Sequence, residues 1–169
     1  MGVEDPKTLY DTDFYTWTQD QAARLRAMAG DNRLDIEHLA DEVADLGRSE
    51  LNKVANHLRQ MLTHLLLAAW LPEAPPAREW RGEALNHQIQ AVRTFTPGMR
   101  QHLDLDEIWT DAIGLANTKL RDHANPGLPA NPPCPLTLDE ILKTTASIEG
   151  LRDSIAAVLA PGNDGSRIG

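Results

Sequence analysis

His38, Asp41 and Glu42 fall within one helical turn of each other, and His57 and His64 follow at a spacing that returns to one helix face. Carboxylates and imidazoles on inward helix faces can hold a metal ion in a helical bundle. The candidate pocket combines Glu42 and His64 with His87 from a later segment. The two-histidine, one-carboxylate pattern that signals zinc within one helix is missing, since His38 has no histidine four residues on. On a straight helix Glu42 and His64 would stand roughly 33 Å apart. They meet only if the helix breaks near Gly47 and folds back. Against the metal pocket stands a plain packing role: His64 beside Met61 and Leu65, with His38 and Glu42 facing water.

Nucleophilic chemistry has one thiol to draw on, Cys134, set between Pro133 and Pro135. A catalytic thiolate needs a helix N-terminus or a basic neighbour to lower its pKa. The helix start signalled at Thr137 is close, but flanking prolines fit a rigid plug better. No serine elbow and no phosphate-cradling glycine loop is present. The remaining concentration of chemistry is aromatic: Tyr10, Asp13, Phe14, Tyr15 and Trp17, in a chain with 5% aromatics. Tyrosines and tryptophans beside an acid are typical interface anchors, and equally typical staples for a terminal helix. Phe14 and Trp17 read as staples; Tyr10, Tyr15 and Trp70 are the candidate interaction residues.

These side chains must be positioned by helices. From Ile36 to Leu71, apolar residues at Ile36, Leu39, Val43, Leu46, Leu51, Val54, Leu58, Leu62 and Leu65 keep a 3.6-residue phase, with Asp35 as cap. The phase survives Gly47, which predicts one continuous or mildly kinked helix. Ahead of it, a helix capped by Asp11 or Thr12 runs to about Ala29, burying Phe14, Trp17, Gln21, Leu25 and Met28. After it, prolines between Pro72 and Pro76 withhold amide donors. Ala77 to Phe95 is helical, with Trp80, Ala84, His87 and Ala91 on one face and Leu85, Ile89 and Val92 on the adjoining one. Thr96-Pro97 opens a short turn. Asp104 starts a helix to about Asp122 that buries Leu105, Ile108, Trp109, Ala112, Ala116 and Leu120. Residues 125–135 hold five prolines and form a connector. Thr137 with Glu140 makes a capping box, and Ser147 to Ala160 places Ile148, Leu151, Ile155 and Val158 on one face.

No strand periodicity appears. The expectation is an all-α fold: a bundle of five or six helices around one long helix, about residues 36–71. Residues 1–10 read as a flexible arm, 11–160 as a single helical domain and 161–169 as a frayed tail.

Placed in this order, the segments resemble the DUF29 domain, a bacterial family of unknown function. The resemblance rests on Tyr10 with Asp13-Phe14-Tyr15-Trp17, on Leu34-Asp35 leading into Leu39-Ala40-Asp41-Glu42, and on Leu46-Gly47-Arg48-Ser49-Glu50. Further pieces are His64-Leu65-Leu66, Trp80 and Cys134-Pro135. It spans about residues 9–142. The chain departs where the family usually has a lysine, at Leu67, and an arginine, around His87 or Gln88. The resemblance implies a small helical protein and brings no activity, cofactor or substrate.

A net charge of −9 argues against a nucleic-acid surface, although Arg78, Arg81, Arg93 and Arg100 are clustered. The charge is uneven: −7 over residues 1–50, +3 over 51–100 and −5 over 101–169. One cysteine excludes an internal disulfide framework and fits a reducing compartment. The N-terminus lacks the pattern of a secretory signal, and the run from Met61 to Pro72 is too short to span a bilayer. A cytoplasmic location is therefore expected. Two functional readings follow. The leading one is a non-catalytic protein acting through protein–protein contacts or self-association, with no cofactor. The competing one is a metal-dependent bundle enzyme using Glu42, His64 and His87.

Overall fold

The computed structural model describes residues 6–28, 30, 33–143 and 146–160. Among them the chain is all-α, without a strand. The elements are α1 (Pro6–Thr12), α2 (Phe14–Ala27), α3 (Ile36–Trp70), α4 (Ala77–Thr94), a 3-10 helix (Pro97–His102), α5 (Leu105–Asp122), α6 (Leu138–Ile141) and α7 (Ile148–Leu159). No helix among the described residues is long and apolar enough to cross a membrane. The expected arm meets helix from Pro6 onward; residues 1–5 and the tail at 161–169 lie outside the described residues.

Backbone contacts gather the chain into two compact units. One takes the chain through Asn56 together with Gln90–Asp104; the other takes His57–Ile89 and the chain from Leu105 onward. Helices α3 and α4 contribute to both.

Helix α3 runs unbroken through Gly47. Asp35 caps it, accepting from the His38 amide at 3.3 Å and pairing with His38 Nδ1 at 2.7 Å. It ends at Trp70, ahead of Pro72, which has no amide to donate.

In the first unit, α2 and α3 meet through small residues. Ala22, Ala40 and Ala44 form a buried cluster, with Leu25 and Val43 packed on it. Gly47 is buried there as well. A β-carbon on it would overlap the Thr18 hydroxyl, so this glycine permits close helix approach instead of breaking the helix. The buried residues of α2 are Tyr15, Thr18 and Ala22, where the sequence predicts Phe14, Trp17, Gln21, Leu25 and Met28. That face is rotated because only short side chains, Thr18 and Ala22, fit against Ala40, Ala44 and Gly47, and Tyr15 packs instead on His102. The cap of α2 also moves, from Asp11 or Thr12 to Asp13. Asp13 serves two elements at once: it accepts from Thr16 N at 3.2 Å, starting α2, and from Gly98 N at 2.8 Å in the 3-10 helix. Burial alone would raise its carboxyl pKa, but bonds from the Thr16 hydroxyl and amide and the Gly98 amide outweigh it and hold the pKa below the usual 3.8.

In the second unit α3 is enclosed. Every residue from Met61 to Ala68 is buried, and each leucine so placed contributes about 1.5–3 kcal/mol of transfer free energy. Helix α5 buries Ile108, Trp109, Ala112, Ala116 and Leu120, as its spacing predicts. The indole of Trp109 donates to the Pro132 carbonyl at 2.8 Å and that of Trp70 to the Pro126 carbonyl at 2.9 Å. The proline-rich connector is thereby fastened at two points. Thr137 and Glu140 form the capping box of α6. In α7 the buried residues are Ile148, Leu151, Ile155 and Leu159; Leu159 takes the place predicted for Val158. On α4, Leu85 and Ile89 are exposed at 45% and 40%, Leu85 lining an open groove with Ser147 and Ile148 at the start of α7.

Candidate functional site

Three imidazoles come together in the second unit. His57 and His64 lie two turns apart on α3, and His87 reaches them from α4. The Nδ1 atoms of His57 and His87 are 3.0 Å apart, with ring centroids at 5.3 Å and planes inclined by 42°. His64 stacks on His87 at 5.8 Å with planes only 14° apart. His64 is buried by its position in the enclosed stretch of α3.

His64 and His87 resist protonation. Burial first, then the positive charges of Lys119 and His87, lower the His64 pKa to about 4, against the opposing pull of Glu83 and the Gln60 backbone. His87 is lowered by burial and by His57, with Glu83 opposing and Lys119 adding. Near neutral pH both rings are neutral, so they can accept a proton or ligate a cation but make poor proton donors.

Of the metal candidates, His64 and His87 meet. Glu42 does not join them: it is exposed, and the unbroken helix sets it about 33 Å along the axis from His64. Among the described residues no three His, Cys, Asp or Glu side chains converge as a metal cage. The stacked rings show why. A ring nitrogen binds a metal in its own plane, and two nearly parallel planes direct their lone pairs side by side. His38 is spent on the start of α3, where its bond to Asp35 raises its pKa. The sequence reading placed His57 and His64 on one face but did not pair His57 with His87; the seven-residue spacing was the available signal.

Cys134 is half-buried, its thiol turned to the Leu136 carbonyl at 3.6 Å. Burial pushes its pKa up from 9.0, with Asp106 and Glu140 adding to the effect against the Leu136 bond. That is the opposite of nucleophile activation.

The interaction candidates separate. Tyr15 is buried and packs on His102 at 5.2 Å, so it belongs to the interior. Trp70 is half-buried and held by its bond to Pro126. Tyr10 is 50% exposed and meets Phe14 and Trp17 edge-on at 5.5 and 4.8 Å. Phe14 and Trp17 stack at 5.8 Å, so the aromatic group ties α1 to α2. Where the chain departs from the DUF29 pattern, Leu67 is buried; of the two places for the arginine, His87 is half-buried in the imidazole group and Gln88 is buried, donating to the Ile141 and Lys143 carbonyls at 3.2 and 3.3 Å.

An all-α protein built on one long helix, without a three-ligand metal cage among its described residues, is the class that this geometry defines. The model of the domain of unknown function DUF29 matches residues 9–146, and the chain belongs to that family. A crystal structure of an α-helical protein of unknown function from Rhodospirillum rubrum is similar, at 32% identity and a TM-score of 0.79, covering 90% of this chain and 98% of that one. No curated protein matches.

Proposed function

We propose that this chain is a non-catalytic cytoplasmic protein that acts through protein–protein contacts, and that the contact surface is formed between copies of itself. The supporting observation is a pair of exposed apolar ridges, one beside the carboxylate of Glu42 and the other beside arginines. On α3, Leu39 and Leu46 are 43% and 54% exposed and share a face with half-buried Val43. Glu42, Asp45 and Glu50 border them, Asp45 paired with Arg48 and Glu50 with Lys53. On α4, Leu85 and Ile89 share a face with Arg78, Arg81 and Arg93. The two ridges can pair between copies, leucines and isoleucine against one another and Glu42 against the α4 arginines. Further along α3, the leucines at 58, 62 and 65 are fully buried, which leaves Leu39 and Leu46 as the conspicuous exceptions.

Such a contact pairs one ridge with the other ridge of a second copy, reciprocally in a two-fold dimer or head-to-tail in a longer assembly. Light scattering across concentration tests it. The mass should rise above one chain at low salt and fall as salt screens the charges. Leu39→Asp with Leu46→Asp should abolish the rise, and Arg81→Glu should weaken it, with Glu42→Arg restoring part. A constant monomer mass at every concentration removes the proposal.

A further inference from the structure

We propose that the Nδ1 atoms of His57 and His87 form a two-imidazole site for a divalent copper or nickel ion, water completing the coordination. Those nitrogens stand 3.0 Å apart as a hydrogen-bonded pair, one ring donating its proton to the other, and a bound ion takes the place of that proton. With metal–nitrogen bonds of about 2.0–2.1 Å, this separation subtends roughly 94° at a shared ion. That is the angle between adjacent ligands in a tetragonal site, which nitrogen donors provide for Cu2+ and Ni2+, and it falls short of the tetrahedral angle preferred by zinc.

The surroundings suit a ligand pair. His57 and His87 are carried on two different helices, so the backbone sets their separation. His64 stacks on His87 at 5.8 Å with planes 14° apart, which packs the His87 ring from one side. Metal ligands bind in their unprotonated form, so loading the site releases the proton the two rings share. Two protein ligands, with no third His, Cys, Asp or Glu converging among the described residues, leave the ion exchangeable.

Metal-free, tag-free full-length chain titrated with Cu2+, Ni2+ or Zn2+ against a competing chelator tests the proposal. One Cu2+ should bind per chain, more tightly than Ni2+ or Zn2+, as the general affinity order for nitrogen sites requires. Its electron paramagnetic resonance spectrum should be tetragonal, with two nitrogen donors. In the unaltered protein, Cu2+ should broaden the ring-proton NMR signals of His57 and His87 before those of exposed His38, His102 and His123. His57→Ala and His87→Ala should each weaken binding at least about tenfold, since losing a ligand does no less than losing an outer partner. His123→Ala should leave it unchanged. If either alanine variant fails to fold, the broadening order in the unaltered chain decides. No stoichiometric copper, first broadening at His38 or His123, or tighter binding of Zn2+ than of Cu2+ overturns the site.

Discussion

Gly47 of α3 lies directly against Thr18 of α2, so close that a β-carbon on the glycine would overlap the threonine hydroxyl. The hydroxyl itself is turned back to the Tyr15 carbonyl at 2.7 Å, and Gln19 reaches across to the Ala44 carbonyl at 3.1 Å. In an isolated helix, Gly47→Ala would gain about 1 kcal/mol from propensity. Here the overlap should reverse the sign, giving a net loss of about 1–3 kcal/mol from overpacking. Thr18→Ala in the same chain removes the hydroxyl and should recover part of that loss, a coupling of about 0.5–3 kcal/mol. Denaturant unfolding of the four proteins in the cycle measures it. A stabilising Gly47→Ala would show that the helices do not approach this closely.

The same contact marks the boundary of what the sequence made legible. Helix ends are written locally: Asp35, the Thr137–Glu140 box, Ser147 and the prolines after Leu71 act on neighbours a few residues away, and all four signals stand in the structure. The face of α2 is written by its partner. Phe14 and Trp17 have the larger apolar surface, yet Thr18 and Ala22 face α3 because its close approach at Ala40, Ala44 and Gly47 admits only short side chains there, while Tyr15 turns inward against His102. The long amphipathic spine was readable from periodicity alone, but periodicity could not say that Leu39 and Leu46 would stay exposed while Leu58 and Leu62 became enclosed. The His57–His87 approach joins residues far apart in the chain and carries no local mark, so the candidate pocket was drawn around Glu42 instead.

Asp13 bridges two helix starts, and its replacement should be felt at both. Asp13→Ala removes the cap of α2, costing about 0.5–2 kcal/mol, and leaves the Gly98 amide without its carboxylate. The pH dependence follows from the direction of the shift. The folded-state pKa is depressed below 3.8, so the contribution is fully present above the unfolded value and is lost as pH falls through the folded pKa. Stability curves of the two proteins should therefore run apart by a constant amount near neutrality and converge at acid pH below 3.8. Curves that stay parallel down to the lowest pH would show that the carboxylate charge is not involved.

Gln88 is the buried polar residue that joins α4 to the end of α6. Its amide donates to both the Ile141 and Lys143 carbonyls. Gln88→Leu is close in size and more apolar, so a simple burial argument would have it stabilise. Two acceptors lose their donor, however, and an unsatisfied buried carbonyl costs about 1–3 kcal/mol. A net loss of about that size is expected, together with faster amide hydrogen exchange in the α6 capping turn. A variant as stable as the parent would show that water replaces the amide without loss.

Ala124 closes α5 in a left-handed conformation, with φ of 56°. The Asn125 amide donates to the Leu120 carbonyl at 2.8 Å and the Ala124 amide to Arg121 at 3.0 Å, the bond pattern of a glycine-type helix end. Alanine is held there against a steric penalty of roughly 1–2 kcal/mol. Ala124→Gly should relieve most of that penalty and, after the entropy lost in the unfolded chain, raise stability by about 0.5–1 kcal/mol. Thermal unfolding reads the change, and a lower midpoint would contradict the assigned backbone conformation.

Cys134 tests whether the proline-flanked segment is a plug or a reactive centre. Its thiol is half-buried and its pKa lies above the ordinary 9.0, so only a small fraction is thiolate at neutral pH, and thiolate is the form that reacts. Iodoacetamide should therefore label the folded chain more slowly than it labels glutathione at pH 7.5, and unfolding in guanidinium should remove the delay. Below the thiol pKa the labelling rate should climb about tenfold per pH unit, following the thiolate fraction. The serine variant gives the complementary reading. Cys134→Ser keeps a donor for the Leu136 carbonyl and should leave folding and self-association unchanged, because the thiol here fills space and bonds a carbonyl. Rapid labelling of the folded protein at neutral pH would mean that a basic group reaches the sulfur, and a nucleophilic role for Cys134 would then have to replace the packing role.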